Sequence, residues 1–201
     1  MAEAATDFEL AEEEGLRAAW YRLLSRLMAK APDQQLLGQL RGMTADDTEF
    51  GKGLRALTAA AEAASPDALE QEYFDLFIGV GRGELMPFGS YYLAGFLHEK
   101  PLAKLRDDMG LLGIARGDGV PESEDHIASL CEMMAGLITG SFGPPADLAT
   151  QHRFFQEHIG SWAPRFFEDL EAARSAAFYM PVGTLGRAFV AVESQAFEMV
   201  A

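Results

Sequence analysis

The sequence predicts an all-α protein, a single helical domain of about eight to ten helices spanning residues 1–201. Three observations lead there. The chain contains 32 Ala and 24 Leu against 18 Val, Ile and Thr combined, a balance that favours helix over strand. Apolar residues recur at spacings of three and four, while two-residue alternation is hard to find. Proline and glycine interrupt these stretches at roughly helix-length intervals.

The elements follow in order. Leu16, Trp20, Leu23, Leu24 and Leu27 form a first stripe, and Ala31-Pro32-Asp33 stops that helix and starts the next. Shorter helical patterns lie at 33–41 and 46–64. Leu69, Tyr73, Leu76 and Phe77 form a second stripe, which ends in the glycine loop from Gly79 to Pro87. Patterns at 89–98 and 101–109 lead to a second loop, Gly113 to Pro121, the candidate hinge should the chain divide into two lobes. Ile127, Leu130, Met134, Leu137 and Ile138 form a third stripe, closed by Gly143-Pro144-Pro145. Patterns at 146–159 and 162–173 precede Met180-Pro181, read here as a break. Leu185, Phe189, Val192, Ala196 and Met199 form a fourth stripe. No unit of 20–50 residues repeats, which argues against a solenoid.

Composition narrows the function. With 49% hydrophobic and 23% charged residues the chain can build an ordinary core, so wholesale disorder is excluded. The net charge of −15 opposes nucleic-acid binding and favours a basic partner. The acids are concentrated. Between Arg55 and Arg82 no Lys or Arg occurs, but Glu62, Asp67, Glu70, Glu72 and Asp75 do. Between Arg116 and Arg153 there is again no base, against Asp118, Glu122, Glu124, Asp125, Glu132 and Asp147. Side by side, the two stretches make one acidic surface; apart, they are two solvated faces. No 18-residue uncharged apolar stretch predicts membrane insertion. The segment from Ala2 to Glu14 is acidic and lacks the apolar core of a signal peptide, so a cytoplasmic location is expected. Cys131 is the sole cysteine and lies in an apolar run, which predicts a buried, inert thiol.

The densest polar cluster is Pro121-Glu122-Ser123-Glu124-Asp125-His126. Ser123 reads as a helix N-cap, with Glu124 and Asp125 in the first turn contributing about 0.3–1 kcal/mol each against the macrodipole. His126 aligns with Leu130 and Leu137, so it points partly inward. It is either a core histidine satisfied by a neighbour or part of a site where carboxylates and an imidazole offer charge-assisted hydrogen bonds to a guanidinium. Glu122 and His126 have i, i+4 spacing, and a metal-binding protein or helical enzyme centred on Glu122, Asp125 and His126 is the alternative reading. Against it, His98, His152 and His158 show no matching Glu-x-x-His or His-x-x-x-His pair, and a di-iron bundle needs two such Glu units. Nor does a Gly-x-Ser-x-Gly hydrolase motif occur.

The other cluster surrounds the glycine loop. Gly79, Gly81 and Gly83 alternate, but no strand pattern precedes them and no Gly-Lys-Ser/Thr follows, so this is a turn rather than a phosphate loop. Pro87-Phe88-Gly89-Ser90-Tyr91-Tyr92-Leu93 comes next, with Ser90 read as the cap of a helix. Tyr73, Phe74, Phe77, Phe88, Tyr91 and Tyr92 crowd this region; most are expected in the core and a few along a groove for an apolar peptide face.

Together these segments resemble the TorD/DmsD/NarJ family of cytoplasmic chaperones for redox-enzyme maturation. The resemblance rests on Glu72-Tyr73-x-x-Leu76-Phe77 before a glycine loop, Pro87-x-x-Ser90-x-Tyr92-Leu93, and Glu122-x-x-Asp125-His126 at the opening of a helix. One position departs: the family commonly has Glu-Pro-x-Asp-His, and Ser123 stands at the proline's place, with Pro121 two residues earlier. The resemblance implies a TorD-like helical bundle without catalysis or a cofactor of its own, either a monomer or a homodimer that exchanges helices. It implies binding of the N-terminal twin-arginine signal, or an equivalent segment, of a molybdenum-containing oxidoreductase subunit, held until cofactor insertion and export. It places Tyr73, Leu76, Phe77, Pro87, Ser90, Tyr92, Glu122, Asp125 and His126 at or near that peptide.

Overall fold

The computed structural model describes residues 11–117 and 122–200. The chain is all-α. The described residues form ten α-helices: α1 (Glu12–Ala29), α2 (Gln34–Arg41), α3 (Glu49–Ala63), α4 (Pro66–Tyr73), α5 (Gly89–Ala94), α6 (Lys100–Leu111), α7 (Ile127–Thr139), α8 (Leu148–Phe155), α9 (Ala163–Glu171) and α10 (Tyr179–Val200). Single π turns, Phe74–Ile78 and Gln156–Gly160, prolong α4 and α8. Among the described residues there is no strand, only an isolated bridge between Phe88 and His126.

Local chemistry sets many helix boundaries. Asp33 accepts from the Leu36 amide at 2.9 Å and Asp147 from that of Thr150 at 2.8 Å. Thr48 and Ser65 cap α3 and α4 in the same way, and Pro66 opens α4, where its missing amide costs nothing. Left-handed Gly95 and Gly140 close α5 and α7.

Tertiary packing centres on α7, which is buried along nearly its whole length, as expected of a helix apolar on all sides. Helix α1 packs on α7, α10 packs on α9 and α3, and α2 packs on α3. The buried side chains of all these helices join in one apolar cluster. Cys131 lies within it, and burial pushes its thiol up to about 12.

Three sequence expectations change. Met180-Pro181 does not break the chain: Pro181 sits in the first turn of α10, where a helix has amides without intrahelical partners. The fourth stripe holds for Leu185 and Phe189, but Val192 and Met199 face out, while Val182, Val190, Glu193 and Phe197 face in. Spacings of three and four drift around a 3.6-residue helix, and over 22 residues the drift carries the stripe off the buried face. Likewise Leu16 opens the first stripe on the surface. Of the candidate hinge, residues 118–121 lie outside the described residues, as does most of the acidic N-terminal segment, residues 1–10.

Candidate functional site

The three conspicuous motifs meet in space. After the π turn at Phe74–Ile78 the chain folds back, with the amides of Glu84 and Leu85 donating to the carbonyls of Asp75 (3.1 Å) and Leu76 (2.8 Å). Gly79 makes this turn at φ +62°, and a Cβ there would stand 2.1 Å from the Arg82 carbonyl oxygen. The alternating glycines therefore serve the tight turn. The next segment lies against the start of α7: the Gly89 amide donates to the Asp125 carbonyl and that of Ile127 to the Pro87 carbonyl, both at 2.9 Å. Phe88 and His126 meet edge to face, 5.0 Å between centroids.

Asp125 holds this junction. Only 3% exposed, its carboxylate accepts the Ser90 amide at 2.7 Å and the Ser123 hydroxyl at 2.5 Å. It thus caps α5 from 35 residues away. His126 caps α7, its Nδ1 accepting the Ala128 amide at 3.1 Å. Burial pushes the imidazole down to about 4, so it is neutral at physiological pH despite Asp125 beside it. Two sequence expectations are thereby corrected. Ser123 does not cap α7, because its hydroxyl is spent on Asp125, and α7 starts only at Ile127. Ser90 does not cap α5; it lies inside the first turn, and its Oγ accepts the His98 amide at 3.2 Å. Glu124 is turned to Arg106, 2.8 Å away.

Glu72 and Glu84 act in the same manner at the other end of the glycine loop. Glu72 accepts the amides of Ala177, Phe178 and Tyr179 and so caps α10, while Glu84 accepts those of Arg174 and Ser175. Tyr73 donates to the Met28 carbonyl at 3.2 Å, and its ring packs with Phe77 and Tyr179. Tyr92 donates to Asp169 at 3.0 Å and lies beside Trp162.

The nine sequence-predicted residues therefore divide. Leu76, Pro87, Ser90, Asp125 and His126 are buried and hold the junction. Tyr73, Phe77 and Tyr92 are half-buried, and Glu122 is exposed. Burial, and secondarily the charge of Glu122, push Tyr73 up to about 12. The charge of Glu122, from the second acidic stretch, thus reaches Tyr73, which lies in the first. Tyr73 opens onto a depression of about 690 Å³ lined also by Phe74, Ile78, Pro32, Pro66 and Glu70. Phe74, one of the crowded aromatics, and Ile78, which sequence reasoning passed over, are exposed apolar side chains. Their i, i+4 spacing was the available signal, masked by the stronger stripe through Tyr73, Leu76 and Phe77.

A second cleft, about 340 Å³, lies between Gly89, Leu93, Leu105, Leu130 and Trp162, with Asp125 in its wall. At its edge His158 Nε2 lies 2.8 Å from Asp108, and Lys104 bonds Glu157. Among the described residues these are the only histidine and acids gathered within 4.8 Å of one another. The Lys104 ammonium already occupies the cationic position between them, so the group is a satisfied ion-pair cluster. Glu122, Asp125 and His126 are not gathered in this way: the first faces solvent and the other two turn into caps. What the surface offers is apolar side chains beside carboxylates.

Comparison with known proteins agrees with this architecture. Residues 44–168 match the family described as nitrate reductase delta subunit. The chain is 27% identical over 203 residues to the chaperone protein TorD of Shewanella loihica, covering 90% of this chain and 92% of that one. It is 28% identical over 129 residues to TorD of Vibrio cholerae, where the match spans 61% of this chain and 59% of the relative. A solved structure from Archaeoglobus fulgidus, described as a redox enzyme maturation protein, is similar with a TM-score of 0.57 and 19% identity over 94% of this chain and 99% of that one. At that identity the likeness speaks to the fold.

Proposed function

The chain belongs to the nitrate reductase delta subunit family of TorD/NarJ-type redox-enzyme maturation chaperones, and from that premise we propose that it binds the N-terminal twin-arginine signal, or an equivalent segment, of a molybdenum-containing oxidoreductase subunit. In this reading it acts in the cytoplasm by binding rather than catalysis. It holds the subunit until the cofactor is inserted and export can proceed, and it works as a monomer or a helix-exchanged homodimer.

One observation supports the reading: the depression beside Tyr73 joins exposed Phe74 and Ile78 to the carboxylate of Glu70, its one lining base, Lys30, is paired with Asp33, and the charge of Glu122 reaches Tyr73. A twin-arginine signal carries two guanidinium groups next to an apolar stretch, the complementary pattern. Magnitudes apportion the work. Exposed ion pairs give about 0.2–1 kcal/mol each, and micromolar binding needs about −8 kcal/mol. Burial of a large apolar side chain supplies about 1.5–3 kcal/mol, so the apolar contacts carry most of the affinity while charge steers and selects. Asp125, His126, Ser90 and Pro87 contribute by positioning α5, which carries Tyr92, rather than by touching the peptide.

Calorimetric titration with twin-arginine signal peptides from several oxidoreductases, each against a twin-lysine control, tests this. Saturable binding of one peptide is expected, weakened about tenfold by twin lysine, by Ile78→Lys or by Glu122→Lys. Affinity indifferent to the arginines, to salt and to Ile78→Lys would overturn it.

A further inference from the structure

A further apolar concavity lies elsewhere on the molecule. A groove of about 760 Å³ runs between α1 and α3 over α10. Leu16 and Trp20 form one wall, Phe50 and Leu54 the other, and Phe189 the floor, with Val192 at the rim. Its base is stiff: Trp20 meets Phe50 edge to face at 4.6 Å, and Phe189 packs on Tyr21 at 4.8 Å. Its lips are not covered, with Leu16 58% and Val192 51% exposed. Apolar side chains left open in a concavity of this size mark an interaction surface. The walls present pairs at i, i+4 on two helices, ridges between which the ridge of another helix fits.

Charge identifies the occupant. Glu13, Asp46, Glu49 and Glu193 line the groove with one base, Arg17; Glu193 is paired with Arg17 and Glu49 with Lys52, so Glu13 and Asp46 are the lining acids without an ion pair among the described residues. Arg17 adds no free positive charge, because it is held by Glu193 at 2.8 Å and Glu14 at 2.7 Å. Glu13 has no partner among the described residues, and Glu12 stands beside it in the first turn of α1. The chain's own first ten residues carry Glu3, Asp7 and Glu9 and no base, the wrong sign for this rim. A second copy, at −15, is also the wrong sign. We propose that the groove docks an amphipathic helix of a partner protein, with an apolar ridge at i, i+3 and i+4 flanked by Lys or Arg. This surface is separate from the depression beside Tyr73. Tyr179 packs there, and Val192 lies thirteen residues farther along α10, about 20 Å away. The inference therefore stands or falls independently of the signal-peptide reading.

The test uses the full chain and two designed helical peptides of about 18 residues, long enough to hold a helix on docking. One carries a leucine ridge flanked by lysines, the other the same ridge flanked by glutamates. Trp20 reports from the groove wall, while Trp162 is buried. Saturable binding of the lysine peptide with a blue shift of Trp20 emission is expected. The glutamate peptide should bind about tenfold more weakly, as should the lysine peptide to Leu16→Lys or Val192→Lys, surface variants that keep the wild-type melting temperature. A twin-arginine signal peptide should not displace the lysine peptide. Absence of saturable binding, equal affinity for both peptides, indifference to Leu16→Lys, or displacement by the signal peptide would each overturn the proposal. So would a dimer in sedimentation that Leu16→Lys dissociates, or a gain of about tenfold in affinity on deletion of residues 1–10, since these would give the groove to a second copy or to the chain itself.

Discussion

Asp125→Ala probes the junction most directly. The substitution removes the acceptor of the Ser90 amide (2.7 Å) and of the Ser123 hydroxyl (2.5 Å), both in buried surroundings. A hydrogen bond to a charged acceptor is worth about 1.5–3 kcal/mol, and the Ser90 amide has no alternative partner once the carboxylate is gone. The hydroxyl can rotate and recover part of its loss, so the expected destabilisation is about 3 kcal/mol. For a chain of this size each kcal/mol lowers Tm by about 2–4 °C, which gives a fall of about 6–12 °C. Asp125→Asn keeps one acceptor oxygen and should lose about half as much. Thermal and urea unfolding followed by circular dichroism provide the measurement. A Tm for Asp125→Ala within about 2 °C of wild type would refute the capping argument. A loss of signal-peptide affinity beyond about tenfold in folded Asp125→Asn would refute the positioning role and make this carboxylate a peptide contact.

Glu72→Ala should cost about 2–3 kcal/mol in urea unfolding, since one carboxylate accepts three amides at the start of α10, and Glu72→Gln should lose less. His126 is held at about 4 when folded against about 6.5 when unfolded, so the unfolded chain binds the extra proton. Its share of stability, about 3 kcal/mol, is therefore present above pH ~6.5 and is lost as pH falls toward ~4. His126→Asn, which keeps a capping acceptor, should flatten that slope, and an imidazole titrating near its ordinary value by NMR would contradict the assignment. Cys131, pushed up to about 12 by burial, should resist thiol reagents at pH 8 in the native protein and react on unfolding. Rapid native labelling would mean that α7 opens.

Helix existence was legible in the sequence because it depends on local spacing. The stripe of Ile127, Leu130, Met134, Leu137 and Ile138 needed no tertiary information to predict α7, and Asp33 announced its cap three residues before the amide it binds. The family was legible from the three motifs at Glu72–Phe77, Pro87–Leu93 and Glu122–His126. Their roles were not legible. Asp125 and His126, read as site residues, serve as helix caps, and Phe74, left open between core and groove, faces solvent together with Ile78.

By itself, then, the sequence determined the helices, the all-α class and the acidic character. Only the tertiary structure decided which carboxylates are consumed and which remain for a partner. Asp125 caps a helix 35 residues away and Glu72 one more than 100 away, while the groove over Phe189 takes its walls from α1 and α3. The physical reason is range. A helix needs hydrogen bonds only four residues apart, whereas burial of a charge and exposure of an apolar face depend on which distant segments come to rest against them.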